Sequence, residues 1–325
     1  MRTAGVLYGG TSPEREVSLS SGEAVAAALE EAGLETARYD HGAPGQEEHG
    51  TVAARLQWAL TDGPLLSAEV VFIALHGGAG EDGRVQGMLE MAGVPYTGTG
   101  VLGSAVSMDK WVSKNLMRQA GLPVPEGRLW SSGEPPPDHL VTGEWAGLLG
   151  WPMVVKPSAQ GSTVGLSVVD GPEGMAEAVE EASAYGPRVL VERFVRGREV
   201  TVAVLEGRAL PPIEIHPEHG IYDYECKYTP GMSSYTCPAV LEPEGTRRVQ
   251  EIALAAFEVL GHRDYSRLDF RLGEDGVFYL LEGNTAPGFT ATSLVPKAAA
   301  AAGIGFPGLC ERLVRAAAGR DGAPL

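Results

Sequence analysis

The sequence predicts an α/β unit followed by α+β sequence, in a chain of three units. Three observations carry that prediction. The first is an opening βα pattern: an apolar run at Ala4 to Tyr8, the loop GGTSPE, then Ala, Val and Leu at helical spacing from about Val17 to Ala32. The second is VVFIAL at Val70 to Leu75, an unbroken apolar run that suits a strand buried on both faces of a parallel sheet. The third is a late hairpin, Leu268 to Leu272 and Val277 to Glu282, around the turn residues GEDG. A length of 325 residues fits two or three domains, and 44% hydrophobic residues supply their cores.

The elements between these landmarks follow in order. A second helix is expected between HGAPGQEEHG and VVFIAL. Ligands of open α/β sheets bind beyond the carboxyl ends of the strands, so Gly9-Gly10 and His76-Gly77-Gly78 are candidates for one pocket. GVPYTGTG marks a boundary near Gly98 and leads into a helix over Ser104 to Ala120, while SSGEPPPDHLVTGEW reads as an exposed surface insertion. Strands at Met153 to Lys156 and Leu166 to Val169 flank PSAQGSTVG; a helix near Glu173 to Tyr185 and the strand VLVERFV complete a small α+β module. Beyond Arg193 the pattern is strand-rich, with one helix at Thr246 to Leu260 and alanine-rich sequence at the end. The expected units are 1–98, 99–192 and 193–325.

Charge and cysteine usage narrow the function classes. Asp and Glu number 42 against 25 Lys and Arg, a net charge of −17 that repels phosphate backbones and anionic lipid. Nucleic acid and membranes are therefore not expected partners. A nucleotide-sized anion is still allowed where a few cations converge, because distant charge is screened beyond ~10 Å. Cys226, Cys237 and Cys310 show no C-x-x-C spacing, which argues against a disulfide framework or a structural zinc site. With no apolar run of signal-peptide or membrane-spanning length, a cytoplasmic protein is expected.

The hairpin carries the densest chemistry. If Leu272 faces Val277, Arg267 lies opposite Glu282 and Asp269 opposite Leu280. Alternation then places Leu268, Phe270, Leu272, Val277, Tyr279 and Leu281 on one side and Arg267, Asp269, Glu282 and Asn284 on the other. A solvated outer face is the plain alternative. Three oxygen donors beside an Arg suit magnesium bridging phosphate oxygens better. A second cluster is Lys156 followed by Gly161, Ser162, Thr163 and Gly165, where backbone N–H groups and a cation can meet phosphate. An ordinary hairpin loop is its plain alternative, and G-x-x-x-x-G-K-[ST] is absent. Gly98 to Gly103 matches G-x-G-x-x-G, but Pro95 interrupts the preceding strand and tight-turn glycines fit better. His216 and His219, separated by Pro217, read as loop histidines rather than a metal pair.

In order along the chain stand GGTSPEREVS, HGGAGEDGRVQGMLE, SMDK, VVKPSAQGSTVG, YDYECKY, RLDF and EGNTAPGFTATSLVP. On these motifs the sequence resembles, almost from end to end, the D-alanine-D-alanine ligases of the ATP-grasp superfamily. The resemblance implies an ATP-grasp fold: an N-terminal Rossmann-like domain, a small central lid domain and a C-terminal mixed α+β domain. It also implies ATP, two magnesium ions with manganese able to substitute, D-alanine as substrate, an acyl-phosphate intermediate in peptidoglycan precursor synthesis, and a homodimer.

By the same resemblance Lys110 and Lys156 contact ATP phosphates, Glu192 reads the adenine amino group and Glu199 holds the ribose. Asp269, Glu282 and Asn284 match magnesium ligands. Glu14 matches the carboxylate that holds the first D-alanine's ammonium, and His76 lines that pocket. Arg267 and the Gly288 N–H match the oxyanion hole, Ser293 and the Leu294 N–H the anchor of the second carboxylate. Lys227 and Tyr228 match a closing loop, with Tyr228 expected to bond Ser162; the pair favours a dipeptide over D-alanyl-D-lactate. Departures are Gly77-Gly78-Ala79, which lacks an Arg found in some members, Thr163 in place of a frequent Ser, and Gly283 at a usually bulkier position. Two other classes remain on the residues alone: a nucleotide-binding sensor without turnover, which would need no oxyanion hole, and an oxidoreductase built on Gly98 to Gly103.

Overall fold

The structure, a computed structural model, describes residues 2–45, 49–131, 136–218, 229 and 231–320. Its first sheet is parallel, in the order β2-β1-β3, from β1 (Thr3–Tyr8), β2 (Glu35–Asp40) and β3 (Val70–Ile73). Helices α1 (Arg15–Glu31), α2 (Val52–Thr61) and α3 (Arg84–Met91) follow these strands in turn. β3 is buried along its whole length, as its apolar run predicts, whereas β2, ETARYD, is a half-exposed edge strand whose mixed sequence carries no clear apolar signal.

Where one helix is expected over Ser104 to Ala120 there are two, α4 (Val101–Met108) and α5 (Lys110–Gln119). The break is at Asp109, whose backbone is extended and whose carboxylate accepts the N–H groups of Trp111 and Val112 as the cap of α5. Met117 on α5 and the nearby Val124 are buried in the core of the third sheet. By packing, this segment therefore joins the last part of the chain, although the sequence groups it with the central unit.

The second sheet is antiparallel, in the order β4-β7-β5-β6, from β4 (Gly127–Trp130), β5 (Met153–Pro157), β6 (Ser167–Val169) and β7 (Val189–Arg193). The helices α6 (Ala146–Leu149) and α7 (Met175–Ser183) pack on one face. Part of the proline-rich insertion is not exposed: a widened helical turn at Leu140–Trp145 buries Val141 and Trp145 in this core. Val141, Trp145 and Leu149 recur every four residues, and the apolar face of the small sheet offers them burial.

The third sheet runs β11-β10-β8-β12-β13, with β9 paired to β8. It comprises β8 (Gly197–Leu205), β9 (Arg208–Ala209), β10 (Ile213–Pro217), β11 (Ser233–Thr236), β12 (Tyr265–Gly273) and β13 (Phe278–Asn284). Helix α8 (Pro243–Val259) covers the face made by Val200, Val202, Phe270 and Leu280. The alanine-rich end folds into α9 (Leu294–Ala301) and α10 (Phe306–Ala318), which pack into the core of the first sheet beside Val6, Val25 and Phe72. Phe289 joins the two ends of the chain, its ring 5.3 Å from that of Phe72 and 5.2 Å from that of Tyr265.

The hairpin register differs from the alternation count. Leu272 pairs with Phe278, and the register then shifts between Asp269 and Phe270, leaving Leu281 as an extra residue. Asp269 consequently stands opposite Glu282, and Arg267 opposite Asn284. Phe278 and Leu280 face the core, while Tyr279 and Leu281 leave it: the Arg193 guanidinium lies 5.1 Å from the Tyr279 ring centre, and Leu281 lines a cleft. Phe270, 0% exposed, is among the largest side chains of this core. Replacing it with Ala is expected to lower unfolding free energy by about 3–5 kcal/mol, read as a lower midpoint in urea denaturation.

Candidate active site

A cleft lies between the uncovered faces of the second and third sheets. On the third sheet, register sets Glu199 opposite Arg271 and Thr201 opposite Asp269, so these groups share one face with Arg267, Glu282 and Asn284. Arg267 donates two hydrogen bonds to Asp269, at 2.8 and 2.7 Å, and the Thr201 hydroxyl donates a third at 2.7 Å. Arg271 lies 3.6 Å from Glu199. The facing wall carries Val154, Lys156 and Glu192.

Glu192 is buried between two lysines. Lys114 donates to it at 2.5 Å and Lys156 donates to its other oxygen. Burial pushes the Glu192 carboxyl up, but the two ammonium groups outweigh burial and hold it below the ordinary range. Burial pushes Lys114 down to about 8, against the pull of Glu192. Lys114 was not singled out in the sequence. It follows Lys110 by one helical turn, and that spacing was the available signal.

Lys110 and Glu282, 3.1 Å apart, line both this cleft and a second cavity of about 590 Å³, so the two are continuous. Lys110 also donates to the Gln160 carbonyl at 2.7 Å. In the second cavity the Ser162 hydroxyl donates to Glu14 at 2.5 Å. Ser162 and Thr163 both have positive φ, 52° and 62°, a conformation that costs L residues energy and clusters at functional loops. Gly77, at φ 67°, leaves room for Glu14: a Cβ there would come 2.5 Å from Glu14 Oε2.

His76 Nδ1–H donates to the Ala286 carbonyl at 2.8 Å and Nε2 accepts from the Ser21 hydroxyl at 2.9 Å, while the Phe289 N–H donates to Ser21 Oγ at 3.1 Å. This chain of bonds sets the imidazole tautomer and ties β3 and α1 to the loop that carries Gly288. Burial pushes His76 down, so the ring is neutral. Glu81, also in this cavity, is pushed up to about 8, first by burial and then by the Glu14 charge. Below the cavity, His262 sits between the hydroxyls of Ser107 and Ser266, at 2.7 and 2.9 Å, and burial pushes it down to about 3.

Asp269, Glu282 and Asn284 lie side by side as hard oxygen donors. Among the described residues no group of three or more His, Cys, Asp or Glu gathers as an all-protein metal cage. Two carboxylates and an amide fit magnesium, which keeps waters and takes phosphate oxygens as its remaining ligands.

Of the residues expected from sequence, Glu14, His76, Lys110, Ser162, Arg267, Glu282, Asn284, Gly288, Ser293 and Leu294 line the second cavity. Lys110, Lys156, Glu192, Glu199, Asp269 and Glu282 line the cleft. Lys227, Tyr228 and Cys226 lie outside the described residues. Besides Lys114, the structure brings in Glu81, Arg271 and Lys297, which line the two pockets and which no sequence signal assigns to a site. Gly98 to Gly103 is structural: the Gly98 N–H donates to Asp264 at 2.7 Å, and Gly98 O accepts from Arg263 at 2.7 Å.

Family models match the chain as D-ala D-ala ligase N-terminus over residues 40–99 and D-ala D-ala ligase C-terminus over residues 116–315. A D-alanine–D-alanine ligase of Desulforudis audaxviator is 46% identical over 321 residues, 98% of this chain and 99% of the relative. One from Anaeromyxobacter dehalogenans is 45% identical, covering 96% of each. The Bacillus anthracis D-alanine–D-alanine ligase complexed with ATP superposes with a TM-score of 0.80 at 28% identity, over 98% of this chain and 97% of that one. The VanG D-Ala:D-Ser ligase of Enterococcus faecalis gives 0.81 at 28% identity, over 97% and 98%.

Two outcomes follow from the buried charges. Glu192→Gln leaves two lysines facing a neutral amide and is expected to lose about 3–5 kcal/mol of stability, the usual cost of breaking a buried pair from one side, measured by urea denaturation. For His262 the unfolded chain takes up a proton below about 6.5, whereas the native protein resists it down to about 3. Stability is therefore complete above pH 6.5 and lost as pH falls through that window, by up to about 1.4 kcal/mol per unit. Urea midpoints from pH 7.5 to 4.5 should show that slope, and His262→Gln should flatten it.

Proposed function

The chain belongs to the D-alanine–D-alanine ligase family, and from that membership we propose how its cleft divides the work. The enzyme joins two D-alanines to D-alanyl-D-alanine with ATP, through an acyl phosphate, and supplies peptidoglycan precursor synthesis. The observation that supports the proposed division is the shared boundary at Lys110 and Glu282, across which a phosphoryl group bound on one side would meet an amino acid bound on the other.

We assign the cleft to ATP, with Lys110 and Lys156 at the phosphates, Glu192 at the adenine amino group and Glu199 at the ribose. Glu14, oriented by Ser162, binds the ammonium of the first D-alanine and turns its carboxylate toward the boundary. A carboxylate is a poor acyl donor. One of its oxygens attacks the γ-phosphorus, the bond to the β-phosphate oxygen breaks, and ADP departs while Lys110 balances the gathered charge. Asp269, Glu282 and Asn284 would hold magnesium, two ions with manganese able to replace them, which when bound neutralises phosphate charge.

The amine of the second D-alanine, once deprotonated, attacks the acyl carbon, and phosphate leaves. Arg267 and the Gly288 N–H stabilise the tetrahedral oxyanion, while Ser293 and the Leu294 N–H hold the acceptor carboxylate. Neutral His76 keeps the Gly288 loop in position. The sequence pair Lys227-Tyr228 favours an amine acceptor over a hydroxyl one. Among the described residues no helix is long and apolar enough to cross a membrane. We place the enzyme in the cytoplasm, as a homodimer; apolar Met91 and Leu102, 93% and 70% exposed, support a self-association surface.

ADP release is expected only with D-alanine and a divalent cation, and not with L-alanine. Nucleotide binding without D-alanine-dependent turnover would overturn the reading in favour of a sensor. Arg267→Ala should lower kcat by about 10²–10³-fold, measured by ADP release at saturating D-alanine.

A further inference from the structure

The second cavity contains a cation that the reaction outlined above does not use. Lys297 lies on α9, four residues after Ser293, so the two side chains rise from the same helical face, and both line the cavity. The other cations of this cavity have acidic partners: Lys110 pairs with Glu282 and Arg267 with Asp269. Lys297 has no carboxylate within ion-pair distance among the described residues. Its ammonium rests instead over the Tyr235 ring, 4.3 Å from the ring centre, which fixes its direction without neutralising it.

The start of the same helix is open as well. Ser293 occupies the cap position, but its hydroxyl does not cap the helix; it accepts the Thr290 N–H at 3.0 Å. The leading amides of Leu294 and Val295 are left for another acceptor, and Pro296 contributes none. A helix start carries roughly half a positive charge. The ammonium of Lys297 adds a full one in a cavity that Glu14 and Glu81 also line. Such a set of charges fits the two substrates taken together, the ammonium of the first at Glu14 and the carboxylate of the second at α9.

We propose that Lys297 is a specificity-determining residue for the acceptor, pairing with the carboxylate of the second amino acid alongside Ser293 and the Leu294 N–H. The inference rests on the ligase reading and adds to it the reason the acceptor must be an anion at that end. Lys297 contacts no reacting atom; it makes the acceptor site selective for a free carboxylate over a neutral amide or alcohol. The aromatic contact with Tyr235 holds the ammonium in place before the acceptor arrives, which limits the ordering cost on binding.

The test is a competition between D-alanine and D-alaninamide as acceptors, with ATP and D-alanine as donor, the dipeptide and dipeptide amide being separated by chromatography. Wild-type enzyme should favour the free acid. Lys297→Met, which keeps the alkyl contact with Tyr235, should raise KM for the second D-alanine by about tenfold or more, as expected for loss of a charge-assisted hydrogen bond. It should reduce the acid-to-amide product ratio by a similar factor and leave KM for the first D-alanine and kcat near wild type; Lys297→Arg should restore the ratio. An unchanged product ratio in Lys297→Met, or an equal rise in both KM values, overturns the proposal. Dipeptide formation by the wild-type enzyme stands apart from either result, so failure here is distinguishable from failure of the ligase reading.

Discussion

A charge removed from water persists only if an opposite charge or a set of hydrogen bonds replaces the solvent, and the cleft is organised around that constraint. Its charged residues are held in pairs: Glu192 between Lys114 and Lys156, Arg267 on Asp269, Arg271 by Glu199, Lys110 on Glu282. Each pair fixes a group that would otherwise turn toward solvent or change protonation. The cost of ordering these long side chains is met during folding, so it does not recur when a ligand binds. In a low-dielectric site, fixed charges act on a bound ion more strongly than mobile ones.

The pairs are only as well placed as the backbone beneath them. β8 and β12 run antiparallel over nine register positions, Gly197 to Leu205 against Tyr265 to Gly273, which puts alternate side chains on one face. The bulge on β13 then lets Glu282 stand directly opposite Asp269 while Leu280 stays in the core. On the amino-acid side, His76 bridges Ser21 and Ala286, groups far apart in the chain, and the Phe72, Phe289 and Tyr265 rings fill the space behind that bridge. Neutral His76 suits this duty because only the neutral ring both donates and accepts.

The same cavity is lined by groups of both signs. Glu14 and Glu81 supply its acids, and burial followed by the Glu14 charge raises Glu81, so the two acids do not both carry full charge at neutral pH. Lys297 and the start of α9 supply positive charge.

Residue types and order determined most of the architecture and marked most of the polar residues that line the cleft and the cavity. The apolar run VVFIAL, the helical spacing after GGTSPE and the motifs around Lys156, Asp269 and Glu282 are local patterns, and each found its element or its cleft. Only tertiary structure decided the rest. Lys114 reads in sequence as another solvent-facing helix cation, yet its partner Glu192 lies 78 residues away on a facing strand. The bulge that aligns Asp269 with Glu282 cannot be counted from alternation, because a period of two holds only while both strands keep step. Val141 and Trp145 look exposed beside prolines until the second sheet supplies an apolar face to cover them. Periodicity and composition are properties of neighbours along the chain, whereas burial, register and ion pairing arise between segments that only the folded state brings together.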